Sequence, residues 1–212
     1  MILRQLVVGE YQTNCYILGN KESKSAWIID PGSDGELIID ELTTLGLTAR
    51  AVLLTHTHWD HITALSRLKS HYPALEVLVS KEDEMGLDFE TIKETCLDRR
   101  FFKTHEQELK TLPAISDYLT DGQYLEDARL SVIATPGHTP GGLSFYHKEG
   151  RFIFSGDSLF AGTIGRTDLP GGNYQQLINS CHRILELDDD VRILPGHGPV
   201  TTVGSERRNP YL

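Results

Sequence analysis

Seven side chains able to bind a divalent metal ion occur at four places in this sequence, each directly after a short apolar run. The richest place is Ala51 to His61, A-V-L-L-T-H-T-H-W-D-H. Ala51-Val52-Leu53-Leu54 reads as a buried strand, and His56, His58, Asp60 and His61 then fall within six consecutive positions. Imidazole nitrogens and a carboxylate oxygen suit a borderline ion such as zinc, and the end of a strand holds them rigidly. Capping the helix that follows would need one such side chain, not four. In an extended segment His56 and His58 point the same way, so one ion can be gripped by both. A turn after His58 would carry Asp60 and His61 to a neighbouring spot.

The second half of the chain repeats the device with one ligand at a time. Ser131-Val132-Ile133-Ala134 runs into Thr135-Pro136-Gly137-His138-Thr139-Pro140-Gly141, Phe152-Ile153-Phe154-Ser155 into Gly156-Asp157-Ser158, and Val191-Arg192-Ile193-Leu194 into Pro195-Gly196-His197-Gly198. Seven donors are too many for one ion held in four- or five-coordinate geometry. Two ions about 3.5–4 Å apart that share a carboxylate would use them all. On that count His56, His58 and His138 hold one ion, Asp60, His61 and His197 hold the other, and Asp157 is the bridge. Two divalent ions, zinc foremost with iron or manganese served by the same ligands, point to hydrolysis, with Asp60 and Asp157 as the catalytic carboxylates.

Such a site needs elements to present it. Ile2 to Val8, Asn14 to Leu18 and Ala26 to Ile29 predict three strands in a meander, separated by Gly9-Glu10 and Gly19-Asn20 turns. Asp30-Pro31-Gly32 ends the third, and Asp30 is either a turn residue or a carboxylate that orients a metal-bound histidine. Ser33 or Asp34 is expected to cap a helix whose apolar positions Leu37, Ile38, Leu42 and Leu45 lead to Gly46. A second helix is expected around Ile62, Leu65 and Leu68, stopped by Pro73, with a strand from Glu76 to Val79. Residues 81–111 give no clear pattern: Glu82-Asp83-Glu84-Met85 suggests a helix start, and the stretch is either substrate-facing variation or a solvated surface excursion with a few core anchors. A last helix from about Asn173 to Leu187 turns Leu177, Ile184 and Leu187 inward.

Length and composition fit one globular domain spanning 1–212, with 39% hydrophobic and 24% charged residues. Thirty acidic against twenty basic residues give a formal charge of −10, which argues against nucleic-acid or anionic-membrane partners. Three scattered cysteines, no signal-peptide pattern and no long apolar span favour a reducing, cytoplasmic setting. His71, His105, His147 and His182 lie outside any ligand cluster and are read as structural.

T-H-T-H-W-D-H at Thr55 to His61, P-G-H-T at Pro136 to Thr139, G-D at Gly156-Asp157 and P-G-H-G at Pro195 to Gly198 resemble the metallo-β-lactamase superfamily, in order and over nearly the whole chain. Asp30-Pro31-Gly32 is similar to a short motif ending an early strand in that family. Gly165-Arg166-Thr167-Asp168-Leu169 resembles the glyoxalase II group, the hydroxyacylglutathione hydrolases. The resemblance implies an α/β fold, a four-layer αββα sandwich, with both metals at one edge between the sheets. It also implies thioester hydrolysis on small molecules such as S-lactoylglutathione. Only fifteen residues follow His197, where two-domain members carry a glutathione-holding helical extension, so the chain is similar to the short single-domain type. Arg166 either offers its fork to a carboxylate of the substrate or pairs with Asp168. A mononuclear-iron persulfide dioxygenase and a metal-dependent phosphodiesterase or nuclease are the alternatives on the same fold.

Overall fold

The computed structural model describes residues 1–212, whose contacts cluster into two compact units. The first comprises Met1–Val79 with Glu84–Tyr118, the second Ser80–Asp83 with Leu119–Leu212.

Strands β1 (Ile2–Val8), β2 (Thr13–Gly19), β3 (Ser25–Ile29), β4 (Thr48–Leu53), β5 (Glu76–Val79) and β6 (Asp117–Tyr118) form the first unit's sheet, in chain order. The first three make the expected antiparallel meander, with Leu6 opposite Cys15 and Ile17 opposite Ile28. From β3 to β6 the pairing is parallel. Parallel neighbours need crossovers, and helices α1 (Gly35–Leu45) and α2 (Leu65–His71) supply the first two. Cys15, Ile17, Ala26, Ile28, Val52, Val77 and Val79 alternate along their strands onto one sheet face, where Ile38 and Leu42 of α1 and Leu65 and Leu68 of α2 cover them. Each such side chain contributes about 1.5–3 kcal/mol by leaving water.

In the second unit, β7 (Tyr124–Leu125), β8 (Leu130–Ala134), β9 (Leu143–His147), β10 (Phe152–Gly156), β13 (Arg192–Pro195) and β14 (Thr201–Thr202) pair in that sequence. Strands β11 (Leu159–Phe160) and β12 (Thr163–Ile164) form a separate hairpin. Only β10 and β13 run parallel, and the connection between them contains the longest helix, α6 (Tyr174–Leu185). Leu177, Cys181 and Ile184 of α6 pack on Ile153 and Ile193. The carboxamide oxygen of Asn173 caps this helix by accepting from the Gln176 N–H at 3.0 Å.

Several expectations need correction. Asp34 stands at the N-cap position of α1 with φ 51°, but its carboxylate does not cap the helix; it accepts from the Gly9 N–H at 2.8 Å and ties down the β1–β2 turn. Leu37 is 46% exposed, and Ile39 takes the inward place given to it. Strand β4 stops at Leu53, so His56 and His58 are presented by a loop and not by strand alternation. Trp59–His61 is a 3-10 turn, and α2 starts only at Leu65. Residues 81–111 contain a 3-10 stretch over Lys81–Leu87 and three short helices, α3 (Phe89–Thr95), α4 (Arg99–Thr104) and α5 (Glu106–Lys110). The carboxylates of Asp88 and Asp98 cap α3 and α4. Helix α7 (Val203–Glu206) closes the chain. No helix is long and apolar enough to cross a membrane.

Candidate metal centre

In the first unit one buried carboxylate organises the ligand loop. Asp30 follows β3 with φ 51°, a left-handed conformation uncommon for a residue with a side chain, and is 1% exposed. Its Oδ1 accepts from the Thr55 N–H at 2.8 Å, and its Oδ2 accepts from Thr55 Oγ1 at 2.6 Å and from His61 Nδ1 at 3.1 Å. Asp30 is also a turn residue, its carbonyl accepting from the Gly32 N–H at 2.8 Å, so the hydrogen bond to His61 and the turn occur together.

These bonds fix two tautomers. Thr55 has one hydroxyl proton and gives it to Asp30, so its oxygen accepts from His56 Nδ1 at 3.0 Å. Nδ1 is therefore the protonated nitrogen of His56, and Nε2 carries the lone pair. His61, donating from Nδ1 to Asp30, is set the same way. The rings of His56 and His58 lie 4.8 Å apart and those of His56 and His61 4.2 Å apart. His61 Nε2 and Asp60 Oδ2 are separated by 3.7 Å.

The second unit spreads three candidate ligands over three strand ends. His138 lies in the turn after β8, Asp157 directly after β10 and His197 after β13. Between Phe154 and Gly156 the register of β10 against β13 slips, and Gly156 takes φ +51°. That irregularity re-aims the next side chain, as bulges do at strand ends. Asp157 Oδ2 comes to lie 3.6 Å from His138 Nε2 and 3.6 Å from His197 Nε2.

His138 is oriented by a backbone carbonyl, with Nδ1 donating to Arg166 O at 2.7 Å. The close pass of this strand requires Gly165, because a Cβ there would meet Asp157 O at 1.9 Å. The Arg166 guanidinium donates from Nε and Nη2 to the two oxygens of Asp168, each at 2.7 Å. Hydrogen bonding from Arg166 lowers the Asp168 carboxyl to about 2. Arg166 and Asp168 are 56% and 68% exposed at the side chain, so the pair fixes the loop more than it stabilises the fold. Bidentate capture of a substrate carboxylate would require this pair to open.

Donor chemistry and spacing test whether these residues fit metal ions. Separations of 3.6–3.7 Å between imidazole Nε2 and carboxylate oxygen are too long for hydrogen bonds. They are close to the edge of a tetrahedron, about 3.4 Å, expected for two donors bound about 2.1 Å from one ion. His56, His61 and His138 each direct protonated Nδ1 to a fixed acceptor and keep Nε2 as ligand atom, the usual arrangement for metal-bound imidazole. The residues fit.

Two buried carboxylates that sequence reasoning passed over tie loops of this unit together. Asp83 accepts from Thr139 Oγ1 at 2.7 Å and from Gly141 N at 2.6 Å. Glu206 accepts from Thr201 Oγ1 at 2.6 Å, and from Gly162 N and Asn209 Nδ2 at 2.9 Å each. Both lie among charged or polar neighbours in sequence, Glu82-Asp83-Glu84 and Ser205-Glu206-Arg207-Arg208, which reads as solvated surface. The structural histidine His147 is buried, with its ring stacked 4.9 Å from Phe152.

The family model of the metallo-beta-lactamase superfamily matches residues 8–197. The hydroxyacylglutathione hydrolase GloC of Haemophilus influenzae is 37% identical over 222 residues, covering 100% of this chain and 98% of that protein. The crystal structure of BLEG-1, a B3 metallo-beta-lactamase, superposes with a TM-score of 0.89 at 36% identity, covering 100% of this chain and 99% of that one. That of TTHA1623, in a di-iron-bound form, gives 0.85 at 35% identity, covering 99% and 100%. The chain belongs to the metallo-beta-lactamase superfamily, whose fold it has, and is a metallo-hydrolase of that family.

Proposed function

We propose that this protein is a thioesterase that cleaves S-(2-hydroxyacyl)glutathione substrates such as S-lactoylglutathione, using two divalent ions. The observation that carries the reading is the placement of Asp157 Oδ2 at the same 3.6 Å from His138 Nε2 and from His197 Nε2. A carboxylate so placed can serve two ions at once, one with His138 and one with His197. When bound, such ions supply Lewis acidity toward a carbonyl and make water nucleophilic at neutral pH. Zinc is the first candidate, and the di-iron form of TTHA1623 keeps iron in view.

The chain's own residues bind and orient. Asp30 and the Arg166 carbonyl hold imidazole protons on Nδ1, and Asp60 and Asp157 supply negative charge that offsets the ions. With the metal set accounting for electrophile and nucleophile, no serine or cysteine nucleophile is required. The GloC relative, matched over its full length, supports a hydroxyacylglutathione as substrate. The net charge of −10 disfavours a phosphodiester polymer. Cys15, Cys96 and Cys181 are free thiols, which suits a reducing, cytoplasmic setting.

Elemental analysis of protein purified without added metal, paired with an S-lactoylglutathione assay, tests this. Two ions per chain with thioester turnover are expected. A single iron with oxygen uptake on glutathione persulfide and no hydrolysis would overturn the thioesterase, as would turnover confined to β-lactams or phosphodiesters.

A further inference from the structure

The second unit includes four residues, Ser80–Asp83, that lie far in sequence from the rest of it. They lead into the 3-10 stretch after β5, and Asp83 N donates to Ser80 O and Ser80 Oγ, both at 3.3 Å, so the segment is a tight polar turn. Asp83 is 4% exposed. Burial pushes its carboxyl upward, against the hydrogen bonds from Thr139 and Gly141 that favour the charged form. An acid is kept in such a place only if its bonds return the cost of desolvation.

Those bonds go to the two residues that bracket the end of one ligand turn. Thr139 Oγ1 donates to Oδ2 at 2.7 Å and Gly141 N to Oδ1 at 2.6 Å. The approach is close, since a Cβ at Gly141 would meet Ser80 Oγ at 1.9 Å. The other flank of the turn is held by α6 and its cap: Ser180 Oγ donates to Pro136 O at 2.7 Å and Asn173 N to Gly137 O at 2.7 Å. His138, between these anchors, is thus fixed in backbone by Asp83 on one side and α6 on the other, and in ring orientation by the Arg166 carbonyl.

We infer that Asp83 is a positioning residue for His138: through Thr139 and Gly141 it holds the backbone from which the ring is presented, and so sets the affinity of the ion that His138 binds. The inference rests on the proposed ligand assignment. It differs from a stabilising role, because the anchored residues flank a proposed ligand.

The test is zinc affinity and stoichiometry by chelator competition on the full chain, for wild type and the variants Asp83→Asn, Thr139→Val, Thr139→Ser and His138→Ala. Asp83→Asn and Thr139→Val are expected to bind one of two zinc ions about 10–100-fold more weakly, the usual cost of removing a partner behind a ligand, with the other ion little changed. Thr139→Ser, which keeps the hydroxyl, should restore wild-type affinity. In metal-free protein, imidazole nitrogen shifts of His138 should report one tautomer in wild type and a mixture in Asp83→Asn. Weakened zinc in His138→Ala with wild-type affinity in both Asp83→Asn and Thr139→Val overturns the role of Asp83 alone. Unaltered zinc binding in His138→Ala overturns the ligand assignment, and this inference with it. A lowered unfolding midpoint of metal-free Asp83→Asn with zinc affinity intact assigns Asp83 to the fold and overturns the positioning role.

Discussion

The candidate ligand loop of the first unit and the three candidate ligand turns of the second present their donors at different range. Four donors of the first unit lie between His56 and His61, and one carboxylate, Asp30, reaches both Thr55 and His61 to hold them. The second unit draws His138, Asp157 and His197 from the ends of three strands, with a register slip at Gly156, a carbonyl from Arg166 and an anchor from Asp83. Local density makes the first set cheap to orient. The dispersed set brings one carboxylate oxygen from a strand end to face two imidazoles from two other strand ends.

The sharpest way to break the comparison is to remove one carboxylate from each unit. Asp157→Ala takes away an oxygen that faces His138 and His197 together, whereas Asp60→Ala takes away one that lies 3.7 Å from His61. Losing a partner behind a ligand costs about 10–100-fold in affinity or activity, so losing the shared ligand itself should exceed a hundredfold in thioester hydrolysis and weaken both ions. Asp60→Ala should weaken one ion. Equal losses of both ions in the two variants would mean that the dispersed set has no bridging advantage.

A smaller effect is expected from the anchor of the first unit. Asp30→Asn keeps the volume but places an amide N–H against either the Thr55 N–H or the Thr55 hydroxyl and His61 Nδ1. A buried donor left without an acceptor costs about 1–3 kcal/mol, and denaturant unfolding of the metal-free protein should show it. Metal affinity should fall about 10–100-fold in the same variant. Unchanged affinity would show that the dense loop orients itself and that Asp30 serves only the fold.

What the sequence made legible follows the same division. His56 to His61 announce themselves because donors cluster, and His138, Asp157 and His197 because each follows an apolar strand and a glycine. The meander, α6 and the strand at Glu76 follow from residue patterns a few positions long. Asp83 and Glu206 were invisible, because a buried carboxylate differs from a solvated one only in partners, and Asp83 finds its partners 56 and 58 residues away. Leu37 misled for the related reason that helical spacing defines a stripe without fixing its edge: Ile38, Ile39 and Leu42 are inside and Leu37 is out. The loop position of His56 and His58 escaped because strand ends depend on pairing, and β5 pairs with β4 only as far as Leu53.

The weakest effect separates a histidine that serves the fold from those that serve the site. His147 ends β9, accepts from the Gly150 N–H at Nδ1 over 2.8 Å and stacks on Phe152, so it must be neutral at that nitrogen. Burial lowers its pKa below 6.5, and Arg129 adds to the lowering while Glu149, 3.7 Å away, opposes it. A histidine depressed in the folded state binds fewer protons there than in the unfolded chain, so stability rises with pH across the interval. The contribution is fully present above about pH 6.5 and is lost as pH falls toward the lowered folded value. Urea unfolding of metal-free wild type and His147→Gln between about pH 5 and 8 should give curves that converge on acidification, since the ligand histidines are common to both. Parallel curves would mean that His147 carries no proton-linked stability, and that the distinction drawn between it and the ligand histidines fails at this residue.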